Sequence, residues 1–324
     1  MRLCPYPGRT VHSVRNWGRS LRLGRKENLL LAAGAFLAGR TNLLGGIAPF
    51  GPALFAALLA ESPLTAAVVG LWMLIGLGTV LGLEGSLPYA FALTALAFFR
   101  RKAHVPWRPA AQALALGASL LAARALAVLV TGGAGYDLGL VAFEAVLAAV
   151  TTMIFAHGLP AALGRKGGAV LSNEEVISIG LVTAVALAGT AGLPGGALAP
   201  AAVLSRFLVL VLAQAGGGGM GAAMGVLAAT VGTIAGTSGP ESICILGFAG
   251  LLAGLMREAG KPGTATGYLL GDLVLSLYLT PHRLDLAYLL APAAALALFG
   301  LTPRAWLTEI SSLVPGTREQ RARQ

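Results

Sequence analysis

The sequence predicts an all-α polytopic integral membrane protein, and three observations support this fold class. Of its 324 residues, 56% are hydrophobic and only 11% are charged, whereas soluble domains carry about 25% charged residues. Apolar stretches long enough to cross a hydrocarbon core, about 20 helical residues, recur from Glu27 to Thr302. These stretches lack the alternation of apolar and polar residues that is typical of outer-membrane strands. We therefore expect a helical bundle rather than a transmembrane barrel.

The chain contains twelve hydrophobic segments that are candidates for transmembrane helices. The segments at 47–60 and 86–99 are shorter than a helix needs to cross the hydrocarbon core. The first of them begins in GGIAPFGP, where glycine and proline interrupt a helix. We expect about ten transmembrane helices, with a range of ten to twelve, together with short re-entrant segments. The segments are 27–45, 47–60, 63–83, 86–99, 109–131, 136–157, 174–191, 197–214, 218–237, 240–256, 263–281 and 284–302.

The distribution of Lys and Arg predicts the orientation in a bacterial cytoplasmic membrane. A basic arm at 1–26 precedes the membrane domain at 27–302, and a short tail follows at 303–324. An even number of crossings between basic stretches would put about nineteen of the 23 Lys and Arg on one face, which the positive-inside rule makes cytoplasmic. We therefore expect both termini to be cytoplasmic. The arm lacks the features of a secretory signal, and we interpret it as a topology or anionic-lipid element rather than one that binds nucleic acid.

The stretch LSNEEVISIG places two acids directly before an apolar run. Ser172 or Asn173 can cap the helix, and Ser172 with Glu175 has the spacing of a capping box. Glu174 and Glu175 would then lie at the positive end of the helix dipole. Helix initiation at the membrane interface is the favoured interpretation, and an acid pair that holds a cation is the alternative.

Several ionisable residues fall inside apolar segments, where an unpaired charge costs several kcal/mol. Arg124 and Glu144 lie about ten residues on either side of the turn at TGGAG, so the hairpin predicts an ion pair. Arg206 and Asp272 also lie near the middle of their segments, and could pair if those helices are neighbours. Structural linkage between helices is the favoured interpretation, and an ion or proton path is the sharper alternative.

Glycines spaced by four residues predict helix faces that pack closely. The sequence does not distinguish packing within the chain from packing between chains in a homo-oligomer. The spaced residues are Gly217, Gly221 and Gly225, then Gly250 and Gly254, then Gly263, Gly267 and Gly271.

Signals of catalysis or cofactor binding are missing from the sequence. The four His are scattered, the two Cys form no CxxC, and no HExxH, GxSxG or clustered Asp set occurs. The run GGGG is not followed by GK[ST], which argues against a phosphate-binding loop. We expect no enzyme activity, no cofactor and no resident metal.

Several stretches together resemble the amino-terminal membrane region of the stage II sporulation protein E family, the sporulation phosphatases of endospore-forming Firmicutes. They are LLAAGAFLAGRTNLLGGIAPFGPALFAAL, LSNEEVISIGLVTAVALAGTAG, AGGGGMGAAMGVLAAT and GFAGLLAGLMREAGKPGTATGYLLGDLVLSLYL. Within them, Arg257 and Glu258 fall on the segment GLLAGLMREAGK, and the resemblance gives these residues no catalytic role. It implies a membrane module of about ten spans, with helix initiation, packing and interface charge as the roles of the matching residues.

In that family the membrane module precedes a cytoplasmic region that self-associates and engages the division protein FtsZ, and then a PP2C-type phosphatase domain that uses Mn or Mg. The sequence ends at Gln324 without either region, so phosphatase activity is not carried over. The resemblance implies a non-catalytic module for localisation and assembly at the asymmetric septum. Its expected partners are the lipid bilayer and sporulation or division-septum proteins, or a separately encoded phosphatase region.

Two other functions stay open at this point. A small-solute or ion transporter would use Glu144 and Asp272 along a hydrated path, and the interrupted helix at GGIAPFGP favours it. A scaffold whose basic arm binds anionic lipid or a cytoplasmic partner is a weaker possibility.

Overall fold

A computed structural model describes residues 25–102, 108–133, 135–162, 171–193, 196–280 and 286–313. Within these ranges the regular structure is helical, apart from one bridge between Leu43 and Ile47. The amino-terminal arm before residue 25, the basic loop at 164–168, Arg283 and the tail beyond residue 313 lie outside the described residues. The α-helices are α1 (Arg25–Arg40), α2 (Phe50–Glu61), α3 (Pro63–Lys102), α4 (Pro109–Val130), α5 (Gly135–Ala162), α6 (Asn173–Ala188), α7 (Pro200–Gly216), α8 (Gly218–Ile234), α9 (Glu241–Leu255), α10 (Gly260–Leu279), α11 (Leu286–Leu301) and α12 (Arg304–Leu313).

Only some of these helices are long and apolar enough to cross a membrane on their own. Among the described residues four stretches qualify, or five if the bent pair α11 and α12 counts as one span. The predicted count of about ten is not confirmed by this measure. Helices α1, α2, α6, α7 and α8 have only 12 to 17 residues, fewer than the roughly 20 needed for a full crossing. The qualifying stretches are Pro63–Lys102, Pro109–Val130, Gly135–Pro160 and Glu241–Leu279.

Helix α3 is two helices that fold back on each other at Gly82. Gly82 has φ 72° and ψ 178°, a conformation outside the helical region that glycine adopts without a Cβ clash. Beyond this break, the hydroxyl of Tyr89 accepts a hydrogen bond from the backbone N–H of Ala48 at 3.1 Å. Ala48 lies just before Gly51, which packs against Met73. Tyr89 has therefore returned to the level of Met73, and the two halves of α3 form a hairpin.

Helix α1 runs antiparallel to the first half of α3. A methyl group added at Gly39 would overlap the backbone of Met73, and one added at Gly76 would overlap the backbone of Phe36. Residue numbers thus rise along α1 as they fall along α3. Without a Cβ at these two glycines, the helix backbones come into direct contact.

Helix α2 also runs antiparallel to the first half of α3, so it runs in the same direction as α1. Met73 packs on Gly51, and Phe55 packs on Gly70 three residues earlier in α3. Together α1 and α2 have the direction and combined length of one discontinuous crossing, interrupted at 41–49. The even number of crossings between the amino-terminal arm and the basic stretch at 100–108 stays a prediction.

Helices α8, α9 and α10 pack through the spaced glycines, within one chain. Added methyl groups at Gly221 and Gly225 on α8 would overlap the backbone of α9, and those at Gly267 and Gly271 on α10 would overlap its other side. In the same way, a methyl group added at Gly250 would overlap the backbone of Gly221. Both pairs of helices are antiparallel, so α9 lies between two close neighbours.

The basic residues of the later helices collect at one end of the bundle, which we call the basic end. Successive antiparallel helices bring together the end of α3, the α9–α10 turn and the end of α11. Helix α12 follows at this end, bent by 89° from α11. The residues of the basic end are Arg100, Arg101, Lys102, Arg257, Lys261 and Arg304.

Candidate functional sites

The hairpin of α4 and α5 carries a fully buried carboxylate at the centre of a polar cluster. Arg124 Nε lies 3.1 Å from Glu144 Oε2, and the Tyr89 hydroxyl donates to Glu144 Oε1 at 2.5 Å. The Arg124 guanidinium also lies 4.9 Å from the centre of the Tyr89 ring. Glu144 and Tyr89 are both 0% exposed. We call Tyr89, Arg124 and Glu144 the Glu144 cluster; it contains the ion pair that the hairpin spacing predicts.

The Glu144 cluster holds the irregular backbone inside the first crossing. Glu144 Oε1 accepts a hydrogen bond from the N–H of Ala48 at 2.8 Å, and Arg124 Nη2 donates to the carbonyl of Gly46 at 2.8 Å. Irregular backbone at membrane depth is stable only where protein groups satisfy its N–H and C=O groups. These two hydrogen bonds therefore stabilise the break between α1 and α2.

Arg40 gives the same segment a second anchor. Its guanidinium donates to the carbonyls of Gly189 and Ala191 at 3.1 Å each, and to the hydroxyl of Thr79 at 2.8 Å. The next residue, Thr41, donates to the carbonyl of Val185 at 2.8 Å. Arg40 thus joins the break between α1 and α2 to the irregular chain after α6.

One face of α10 is lined by buried polar residues at every fourth position. Their exposed fractions range from 0% to 6%, and the opposing helices supply polar partners. Thr264 donates to Gln214 Oε1 at 2.5 Å, and the hydroxyls of Ser276 and Tyr288 lie 2.6 Å apart. Sequence reasoning found only Asp272 on this face, although the four-residue spacing was visible beside the glycine face. The residues are Thr264, Tyr268, Asp272, Ser276 and Thr280.

Arg206 and Asp272 are neighbours but do not form a direct ion pair. Each interacts electrostatically with the other and with Tyr268. Among the described residues, the Asp272 carboxylate interacts with the Tyr268 hydroxyl and the Arg206 guanidinium with the Tyr288 hydroxyl. Arg206 Nη1 donates to the carbonyl of Ala202, one turn earlier in α7, at 3.0 Å. The two charges therefore interact electrostatically, without a direct hydrogen bond between them.

Helix α6 begins with the hydrogen bonds of a capping box. The N–H of Glu175 donates to the Ser172 hydroxyl at 3.3 Å, and the N–H of Ser172 donates to the Glu175 carboxylate at 2.8 Å. Glu175 is buried, Glu174 is exposed, and Asn173 is the first helical residue. Within the described parts of the chain, no group of three or more His, Cys, Asp or Glu could hold a metal ion.

The α9–α10 turn supplies cations to the carboxyl ends of two other helices. Arg257 Nη1 donates to the carbonyl of Ala215 near the end of α7, at 3.3 Å. Lys261 Nζ donates to the carbonyl of Gly300 at 3.2 Å and also to that of Thr302. Cations are favoured there by the helix dipole and by unsatisfied carbonyls.

The remaining predicted residues lie around this turn. Gly217 joins α7 to α8 with φ +83°, a backbone conformation that favours glycine. The backbone of Gly217 contacts Gly254, and Gly263 packs on the carbonyl of Met256. Glu258 is exposed. The turn therefore brings the ends of α7, α9, α10 and α11 together at the basic end.

Comparison with known proteins places these features in a family. A family model described as "SpoIIE, N-terminal domain" matches residues 8–311. Stage II sporulation protein E of Bacillus subtilis (strain 168) is 31% identical over 287 residues, which cover 88% of this chain and 35% of that protein. The protein of the same name from Priestia megaterium is 34% identical over 101 residues, which cover 31% of this chain and 17% of the relative. No solved structure matches.

The chain thus spans about a third of the length of the Bacillus subtilis relative. None of these matches supports the transporter alternative, and Glu144, on which that alternative drew, is hydrogen-bonded within the protein. The match at residues 8–311 includes the Glu144 cluster and the polar face of α10, and it covers all but the last two described residues. The chain belongs to the family of the SpoIIE N-terminal domain.

Proposed function

We propose that this chain is a non-catalytic membrane module that localises and assembles sporulation proteins at the asymmetric septum. The family match over residues 8–311 is the observation that carries the proposal. The relatives are named for stage II of sporulation, the stage to which we assign this chain.

The architecture suits an anchor because its charges stabilise the bundle. Glu144 and Arg124 hold the discontinuous crossing, while Arg257 and Lys261 cap α7 and α11. Lys261 fixes the end of α11 directly before the 89° bend into α12. A rigid end of this kind would hold whatever lies beyond it in a defined orientation on the membrane.

We propose that the basic end faces the cytoplasm in a bacterial membrane, because Lys and Arg are retained there. Its proposed partners are then the lipid bilayer and either sporulation and division-septum proteins or a separately encoded phosphatase region. Any homo-oligomer would use a surface other than the glycine faces of α8, α9 and α10, since these are occupied within the chain.

The test is fluorescence microscopy of a carboxy-terminal fusion, produced at native level in sporulating cells of the source organism with stained septa. We expect enrichment at the polar septum, and no enrichment before sporulation begins. A uniform membrane signal that is equal in vegetative cells would contradict the proposal. A Gly221→Leu variant should lose the signal through misfolding, whereas Gly219→Leu should keep it, because an added Cβ at Gly219 meets no atom within 4 Å.

A further inference from the structure

Helix α11 lies antiparallel to α10, and this sets the direction of α12. The hydroxyls of Ser276, near the end of α10, and Tyr288, near the start of α11, lie 2.6 Å apart. At the other end of the pair, Lys261 Nζ donates to the carbonyl of Gly300 at 3.2 Å. Helix α10 belongs to a stretch that is apolar enough to cross a membrane. The 89° bend after α11 therefore turns α12 away from the crossing direction and into the plane of the membrane.

One row of side chains attaches α12 to the bundle. Leu307 and Ser311 are four residues apart and only 7% and 6% exposed. Leu307 belongs to the same buried hydrophobic cluster as Val211 and Phe299, and α12 contacts α7. Residues spaced by four share one face of a helix, so this buried row faces the bundle. The rest of the α12 surface is left for the surroundings of the protein.

The rows on the two sides of the buried row differ in polarity. One row contains Trp306, which is 65% exposed, and Ile310, which is half-buried. The other row contains Arg304, Thr308 and Ser312. With 3.6 residues per turn, the two rows point in roughly opposite directions on either side of the buried row. Helix α12 thus has an apolar flank and a polar flank.

These two flanks fit the boundary between lipid headgroups and acyl chains. A helix in this boundary turns an apolar side to the hydrocarbon and a polar side to the water. Tryptophan is enriched at this depth because its ring is amphipathic, and an arginine there can bind lipid phosphates. We propose that α12 is an interfacial helix of the leaflet at the basic end, with Trp306 at the headgroup–acyl boundary and Arg304 among the phosphates. This inference rests on the proposed membrane module, but not on its localisation at the septum.

The test measures the depth of Trp306 in the bilayer. The full chain with Trp17, Trp72 and Trp107 replaced by Phe keeps Trp306 as its single tryptophan. It is placed in vesicles of phosphatidylcholine and phosphatidylglycerol. Nitroxide labels on the lipid headgroup, beside the acyl carbonyl or at the end of the acyl chain quench the fluorescence according to depth, and iodide on both sides of the membrane quenches it from water. We expect the label beside the acyl carbonyl to quench Trp306 most strongly.

The matched control moves the tryptophan to the polar flank. In the same chain, Trp306→Phe with Thr308→Trp should be quenched at least about twofold less by the label beside the acyl carbonyl, and more by iodide. Equal quenching at the two positions would show that α12 has no preferred orientation in the boundary, and would overturn the proposal. Quenching of Trp306 by iodide alone, or most strongly by the label at the chain end, would overturn it as well.

A second measurement applies if the tryptophan replacements prevent folding. In a chain without Cys4 and Cys244, spin labels are attached at Trp306→Cys or Thr308→Cys. Their accessibility to oxygen, which concentrates in lipid, is compared with that to a nickel chelate, which stays in water. Oxygen should be favoured at Trp306→Cys and the chelate at Thr308→Cys, and the reverse would contradict the proposal. Septal microscopy does not report this depth, so its failure and the failure of this inference are distinguishable.

Discussion

Glu144 Oε1 lies 2.5 Å from the hydroxyl oxygen of Tyr89. The same carboxylate oxygen accepts a hydrogen bond from the N–H of Ala48 at 2.8 Å. One side chain of α5 thereby joins the α3 hairpin to the break between α1 and α2. Tyr89 and Glu144 are both buried. Removal of the Glu144 charge should therefore have a large effect on stability.

Glu144→Gln should destabilise the protein by about 3 to 5 kcal/mol, because it leaves Arg124, whose side chain is 16% exposed, without its counterion. Thermal unfolding in nanodiscs measures the change. Glu309→Gln on the exposed face of α12 should stay within about 0.5 kcal/mol of the unaltered chain. The double variant Arg124→Met with Glu144→Gln should recover part of the loss. Equal stability of Glu144→Gln and Glu309→Gln would show that the cluster does not hold the fold.

Gly221→Ala should destabilise the packing of α8 on α9 by about 1 to 3 kcal/mol, the usual range for overpacking. The new methyl group meets the carbonyl of Gly250, which belongs to a helix backbone and cannot move away cheaply. Gly219→Ala, on the same helix, meets no atom within 4 Å and should stabilise the helix slightly. Thermal unfolding of the two variants decides the matter, and a stable Gly221→Ala protein would argue against close packing here.

Cysteine labelling in intact vesicles tests the direction of α1. In a chain without Cys4 and Cys244, we expect single cysteines at Leu29 and Glu84 to react from one face, and a cysteine at Lys102 from the other. The expectation follows because α1 and α2 form one crossing and α3 folds back at Gly82. If Leu29 reacted from the same face as Lys102, α1 and α2 would each cross the membrane.

Lys261→Gln should loosen the bend between α11 and α12. The ammonium group donates to carbonyls at the end of α11, and glutamine is shorter and uncharged. Spin labels at Leu290 and Trp306, both exposed, report the angle as a distance distribution. We expect a broader distribution in Lys261→Gln and an unchanged one in Arg304→Gln. A narrow distribution in both would show that Leu307 and the packing of α12 fix the bend.

Local patterns predicted local structure well. The three-residue spacing of Ser172 and Glu175 predicted the capping hydrogen bonds of α6, because these depend on one helical turn. The turn at TGGAG placed Arg124 and Glu144 at one depth, because a hairpin of two long helices has few alternatives. Glycine spacing identified the faces of α8, α9 and α10.

Relations between distant segments could not be read in the same way. Hydropathy measures apolar length but carries no direction, so it could not show that α1 and α2 run the same way. The contact of Tyr89 with Glu144 joins residues 55 positions apart, and no local spacing encodes it. The packing of α7 against α10 determines the distance between Arg206 and Asp272. Sequence spacing therefore could not show that these two residues lack a direct hydrogen bond.

The discontinuous first crossing imposes an order on biogenesis. The break between α1 and α2 is held by Tyr89, Arg124 and Glu144 and, through Arg40 and Thr41, by the end of α6 and the chain after it. All of these partners leave the ribosome later. Until α5 and α6 have entered the bilayer, the N–H of Ala48 and the carbonyl of Gly46 lack these partners, at a cost of several kcal/mol per group. We therefore expect α1 and α2 to wait at the translocon or the interface and to reach their final position only after α5 and α6.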